Sequence, residues 1–385
     1  MNFIENLLNN LANSRNAYTT EIEFPGLFGG IGPFEVCNIA FYIPIGQYRI
    51  PIAWYALIIT FGIVCCLTYL IVQARKIGVT MDDIIDGALF VIPIGILGAR
   101  LYYVAFDYEH YYLYKNPLDI LNMTGGGLAI YGGIIFGTLT VIGYAMFKRI
   151  NFLALGDCVA PGVLLAQGIG RWGNFMNGEA YGWSENVDSL LFRMKLEGAH
   201  RTEFINGVKT EIPIDYVHPT FLYESLWNLL GVLLVYLFQK FIGKKYDGQL
   251  IMLTFGWYGL GRMFIESLRT DSLGDKENNI RVSLILAAVI FAVCLGLLIF
   301  FAIKKPKVGY YFKYPVKVGE KLPKISFKER LIGTFYTKRT DENAQPIDYK
   351  PFIEMEKAER EKEKKAKAEA KKAKAEEKKN KNNEE

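Results

Sequence analysis

The sequence predicts an all-α polytopic membrane protein of about seven transmembrane helices, with a small extracytoplasmic subdomain and a charged cytoplasmic tail. Three observations lead there. Of the 385 residues, 51% are hydrophobic and 14% aromatic, and the mean hydropathy is +0.16. Charge is unevenly placed: from Glu354 the chain reads EMEKAEREKEKKAKAEAKKAKAEEKKNKNNEE, which leaves the rest more apolar than a single soluble core needs. The apolar residues also collect in runs close to the roughly 20 residues that a spanning helix requires. The aromatic content excludes a disordered or fibrous chain.

The runs cover residues 52–74, 84–105, 126–147, 152–170, 220–242, 248–268 and 281–303, the fourth and sixth interrupted by Gly and by charge. Arg75 and Lys76 follow the first run, and Lys148 and Arg149 the third. Lys240, Lys244 and Lys245 follow the fifth, and Lys304, Lys305 and Lys307 the seventh. The loop between the second and third holds only Lys115 as a strong positive charge. An excess of Lys and Arg marks cytoplasmic loops, so the N-terminus is expected outside and the C-terminus in the cytoplasm of a multi-pass cell-membrane protein. Arg269, Lys276 and Arg281 run mildly against this pattern.

Residues 1–50 read as an extracytoplasmic segment, in which Phe3, Ile4, Leu7, Leu8 and Leu11 suit a short helix lying on the bilayer. No positive region leads into a long apolar core there, so no cleaved signal peptide is expected. Residues 51–303 form the membrane domain, with 172–219 polar enough for an extracytoplasmic subdomain. Residues 304–385 form the tail, which lacks apolar periodicity and reads as disordered or as a solvated single helix. The net charge of +5 comes from lysines beside apolar runs and in the tail, and they form no stripe for a nucleic acid. Cys37, Cys65, Cys66, Cys158 and Cys294 have no metal-ligand spacing and read as packing residues.

Charge at membrane depth costs about 2.5–3.5 kcal/mol on insertion scales, so it usually faces the protein interior and marks function. Here the polar residues gather at run ends. Tyr55 opens the first run, Arg100 ends the second and Tyr131 opens the third. Arg171, Asn174, Asn177 and Glu179 end the fourth, while His218, Tyr223 and Glu224 open the fifth. Tyr258, Arg262, Glu266 and Arg269 end the sixth, spaced to share one helical face. With the orientation above, all lie at the outer ends of their helices, which points to a single polar pocket there. The Arg–Glu–Arg ladder suits an interior salt-bridge network; two arginines on different helices also suit a phosphate, whose oxygens match the guanidinium fork.

Other motifs read as structural. GIGRWG has GxGxxG spacing, but an apolar helix precedes it where a dinucleotide loop needs a strand. Asp82, Asp83 and Asp86 suit helix capping. Asn122 and Thr124 form a sequon expected by chance, and His110 and His200 fall in polar loops. His218 is as well suited to a cap or hinge as to chemistry.

GARLYYV, GGGLAIYGG, GRWGNFMNGEAYG, HPTFLYES and YGLGRMFIESLR, in that order across residues 50–303, resemble the prolipoprotein diacylglyceryl transferase family. The resemblance implies transfer of a diacylglyceryl group from phosphatidylglycerol to the thiol of a lipobox cysteine in a prolipoprotein. A thioether forms, glycerol phosphate leaves, and no cofactor or metal is needed. It implies catalytic roles for Tyr131, Arg171, Tyr258, Arg262 and Glu266. Substrate contacts fall to Tyr55, Arg100, Asn174, Asn177, Glu179, Gly182, His218 and Arg269. Many members read His-Gly-Gly where this chain reads Tyr131-Gly132-Gly133. A phenol near pKa 10 is a poorer base than an imidazole near 6.5 unless arginines lower it. The proton then goes to an arginine-perturbed Tyr131, to Glu266 or Glu179, or to no dedicated base, a thiol near pKa 8.5 ionising readily. The competing readings are a transporter of a small anionic solute, for which no internal repeat is visible, and a non-catalytic lipid-binding protein.

Overall fold

The computed structural model describes residues 17–27, 29–77, 79–106, 127–148, 150–205, 208–270, 274–275 and 280–304, with single positions 12, 362, 365 and 369. The surface helix expected near residue 3, His110, the sequon and the conformation of the tail lie outside the described residues. Seven long helices follow the apolar runs: α1 Trp54–Ala74, α2 Met81–Phe106, α3 Ile130–Lys148, α4 Phe152–Met176, α5 Thr220–Phe241, α6 Gln249–Leu268 and α7 Val282–Lys304. Where the sequence leads to seven spans, six of these have the length and composition to cross a membrane. The exception is α6, whose apolar content is diluted by Gln249, Arg262, Glu266 and Ser267.

Helices in lipid gain little from hydrophobic contact with one another, so close approach through small residues holds them together. A Cβ on Gly173 would stand 2.8 Å from the Tyr55 ring, and one on Gly162 3.2 Å from the Cys66 carbonyl. One contact lies at the start of α1 and the end of α4 and the other near the middle of both, so the two helices run antiparallel. Between α5 and α6 the Trp227 and Trp257 indoles stack at 4.3 Å with 12° between planes. Each Nε1–H donates to the other residue's carbonyl, at 3.0 and 2.9 Å.

The end of the bundle bearing Lys148 and Lys244 is fastened by two aspartates. Asp83 and Thr80 form a reciprocal capping box at the start of α2, the Thr80 hydroxyl donating at 2.8 Å and accepting from the Asp83 N–H at 3.2 Å. Lys148 pairs with the same carboxylate at 2.8 Å. The buried Asp157 of α4 accepts backbone N–H bonds from Gly248, Leu250 and Ile251 at 2.9–3.0 Å. It thereby satisfies donors that the first turn of α6 would otherwise leave orphaned. Lys244 adds an ion pair to Asp157 at 3.1 Å.

The opposite end carries short strands that the all-α expectation omits. β1 Thr19–Phe24, β2 Ile31–Cys37, β5 Met194–Leu196 and β8 Tyr216–Val217 make one antiparallel sheet in the order β2-β1-β5-β8. Its buried face gathers Ile22, Val36, Met194, Leu196 and Val217 against Phe221 of α5. Residues from before α1 and from the segment between α4 and α5 thus share one sheet and one core. β3 Ile39–Ile45 and β4 Tyr48–Ala53 form a hairpin leading directly into α1. β6 His200–Ile205 pairs with β7 Val208–Pro213, and β9 Gly274–Asp275 with β10 Ile280–Arg281.

Candidate active site

Three chain segments meet where α4 ends, α5 begins and α6 ends, and Gly182 is their junction. Its N–H donates to the His218 carbonyl at 3.1 Å, and its own carbonyl accepts from the His218 N–H at 2.7 Å. The next N–H, of Trp183, reaches Leu268 at 2.8 Å. A Cβ at Gly182 would stand 2.8 Å from the Leu268 carbonyl oxygen and 2.9 Å from Thr220, so only glycine fits. Nearby, Ala180 adopts φ 58°, a left-handed conformation costly for an L-residue. The Thr220 hydroxyl, donating to the Ala180 carbonyl, helps to hold it there.

On this junction a charged cluster is built. Glu224, buried in the first turns of α5, accepts from Arg171 Nη2 of α4 at 2.5 Å and from Arg262 Nη1 of α6 at 2.9 Å. Arg262 turns its Nη2 to Glu266 at 2.6 Å, and Arg269 Nε approaches the same carboxylate at 4.0 Å. Glu266 is buried and also accepts from the Ser283 hydroxyl of α7. Among the described residues three guanidiniums therefore face two carboxylates at this core. From α4 the network continues outward: Arg171 Nη1 donates to Asn174 at 3.3 Å, while the amides of Asn174 and Asn177 donate to Glu179 at 3.0 and 3.1 Å.

A cavity of 520 Å³ opens at one edge of the cluster, where Tyr55, Arg171, Asn174 and Tyr258 line it. The rest of its wall is mostly apolar side chains of α1 to α4. Guanidinium, amide and phenol groups at the end of an apolar cavity suit an anionic headgroup with hydrocarbon attached.

Other expected site residues lie differently. Arg100 is buried on α2, where Nη1 donates to the Gly127 carbonyl at 3.0 Å and the guanidinium stands 5.8 Å from the Tyr103 ring. Tyr131 opens α3 with its ring 6.5 Å from that of Tyr102. Neither lines the cavity. His218 is buried, its Nε2 2.8 Å from the Ser184 hydroxyl and its Nδ1 3.5 Å from the Tyr223 hydroxyl. Burial pushes its pKa below the ordinary imidazole value, which favours the neutral ring.

The residue to which sequence reasoning assigned no role is Glu224. It stands within HPTFLYES as a lone carboxylate in an apolar run, and that depth was the available signal. Nothing in the spacing showed that it would face two arginines from other helices.

The sequence model of the prolipoprotein diacylglyceryl transferase family matches residues 40–300. A phosphatidylglycerol–prolipoprotein diacylglyceryl transferase of Enterococcus faecalis is 41% identical over 265 residues, which are 69% of this chain and 90% of the relative. The protein of the same description from Bacillus cytotoxicus is 45% identical over 225 residues, 58% of this chain and 78% of the relative. That from Clostridioides difficile is 42% identical over 226 residues, 59% of this chain and 82% of the relative. The transporter reading gains no support from these similarities.

Proposed function

The chain belongs to the prolipoprotein diacylglyceryl transferase family, and from that premise we propose how its own residues perform the transfer. Its activity is transfer of a diacylglyceryl group from phosphatidylglycerol to a prolipoprotein. The acceptor is the thiol of a lipobox cysteine. The thiolate sulfur attacks the glycerol carbon bearing the phosphate ester, the C–S bond forms, and the C–O bond breaks with its electron pair leaving on glycerol phosphate.

Arg171 and Arg262 bind the phosphate and stabilise the charge that gathers on it as the ester breaks. The observation that carries this reading is the placement of both guanidiniums on the two oxygens of Glu224, with Arg171 lining the cavity. A guanidinium has five N–H donors, and Glu224 takes one from each, so it fixes both groups while donors remain for a ligand. Glu266 plays the same part for Arg262 and Arg269. Asn174 and Tyr258 contact the headgroup, and Tyr55 closes the wall opposite. Asn177 and Glu179 orient Asn174. Among the described residues no arginine pairs with Tyr131. The thiol's own acidity, near pKa 8.5, supplies the thiolate.

The positive-inside bias puts the cluster toward the outer leaflet of the cell membrane, with the N-terminus outside and the tail in the cytoplasm. No nucleic acid takes part. The test is lipidation of a lipobox peptide by the purified protein with phosphatidylglycerol in detergent, read by mass spectrometry. A mass gain of one diacylglyceryl group is the expected result, and its absence would overturn the reading.

A further inference from the structure

The cavity is far deeper than a headgroup needs. Along α4 its wall runs from Asn174 to Leu155. At 1.5 Å per residue that stretch is roughly 28 Å long, close to the full hydrocarbon thickness of a bilayer. The far end is walled by Leu70, Val79, Ile84, Ile150 and Leu155, all five buried in one apolar cluster, with Asp83, paired to Lys148, also at this end. A shaft that is charged at its mouth and mostly apolar along its wall and floor suits a single hydrocarbon chain whose head stays at the arginines. One helical turn above the floor, α2 presents Gly87 and Ala88 and α4 presents Val159. These small side chains keep the lowest layer open. Gly87 itself has little room, since a Cβ there would stand 3.2 Å from the Tyr144 ring.

We infer that one acyl chain of phosphatidylglycerol occupies this shaft and that its floor limits the chain length accepted, with Ala88 and Val159 setting the limit. The inference rests on the reading that Arg171 and Arg262 hold the phosphate, because that contact fixes where the chain begins. A larger side chain at either position raises the floor by about one turn, and a chain too long for the shortened shaft must either crowd the floor or pull its headgroup away from the arginines.

The experiment offers the purified full-length protein a mixture of phosphatidylglycerols whose saturated chains differ in steps of a methylene pair, with a lipobox peptide as acceptor. Products are resolved by mass. Ala88→Phe and Val159→Phe are each expected to move the product distribution toward shorter chains. Use of the longest accepted chain should fall about tenfold relative to one shorter by a methylene pair, the effect of modest overpacking at the raised floor. Leu89→Phe, at a position 67% exposed, keeps the distribution of the unsubstituted protein. An unchanged distribution in both cavity variants, or an equal fall at every length, would overturn the inference. Should one of them not fold, the other decides. Absence of product from the unsubstituted protein would overturn instead the functional reading beneath it.

Discussion

Arg171 and Arg262, on separate helices, are held by opposite oxygens of the single Glu224 carboxylate, at 2.5 and 2.9 Å. Their spacing is therefore set before any lipid arrives. A donor pair that need not reorganise during reaction is what electrostatic stabilisation of a developing charge requires.

Replacing Glu224 tests that arrangement. Glu224→Gln keeps the shape but removes the charge that both guanidiniums share, and kcat/KM should fall roughly 100-fold. Glu224→Ala leaves two part-buried cations without their common partner and should cost about 1–3 kcal/mol of stability in denaturant unfolding. Both variants behaving like the parent would show that Glu224 positions nothing.

Arg262→Lys keeps a cation but loses the fork that reaches Glu224 and Glu266 together. The expected loss in kcat/KM is about 10²–10³-fold, with helix content by circular dichroism unchanged. Near-normal turnover would assign the phosphate to other donors.

Tyr131→Phe removes only the phenolic oxygen, and among the described residues that hydroxyl makes no hydrogen bond. Turnover within a few-fold of the parent, with the pH profile unmoved, is the expected result. A loss beyond about 100-fold would return the residue to acid–base chemistry.

Gly182→Ala forces a Cβ to within 2.8 Å of the Leu268 carbonyl and 2.9 Å of Thr220. The three segments must part by some tenths of an ångström, at roughly 1–3 kcal/mol. Thermal unfolding should reveal the loss, and transfer should fall with it because the junction carries the arginine cluster.

His218 gives a pH dependence. Burial depresses its pKa in the folded protein below the unfolded value near 6.5, so the unfolded chain takes up the proton first as pH falls. Its contribution to stability is whole above about pH 6.5 and is lost as pH drops through the folded pKa. Melting curves of the parent and His218→Asn should converge in that acid range; curves separated equally at every pH would show that the imidazole takes up its proton alike in the folded and unfolded chains.

Much of this was legible in the sequence, for identifiable reasons. Apolar runs near membrane length placed all seven helices, because hydropathy and length constrain a spanning segment so tightly. The i, i+4, i+8 spacing of Tyr258, Arg262 and Glu266 put them on one face. What escaped was long-range. Strands of two to seven residues such as Met194–Leu196 carry too little alternation to be distinguished from loop, and the pairing of Met194–Leu196 with Thr19–Phe24 joins segments nearly half the chain apart. Glu224 was visible as a charge and invisible as a bridge. Asp157 lay in an apolar run with nothing nearby to say that the first turn of α6 would close on it.

That last contact bears on the chemistry from a distance. Asp157 and Arg171 ride on one rod, and the backbone amides that Asp157 grips begin the rod that ends beyond Arg262. About 20 Å separates the two levels at 1.5 Å per residue. The pair of rods thus behaves like a calliper, riveted at one end and gauged at the other. Slippage of one peptide unit at the rivet would open the jaws on the phosphate, although no atom touching the lipid had been altered.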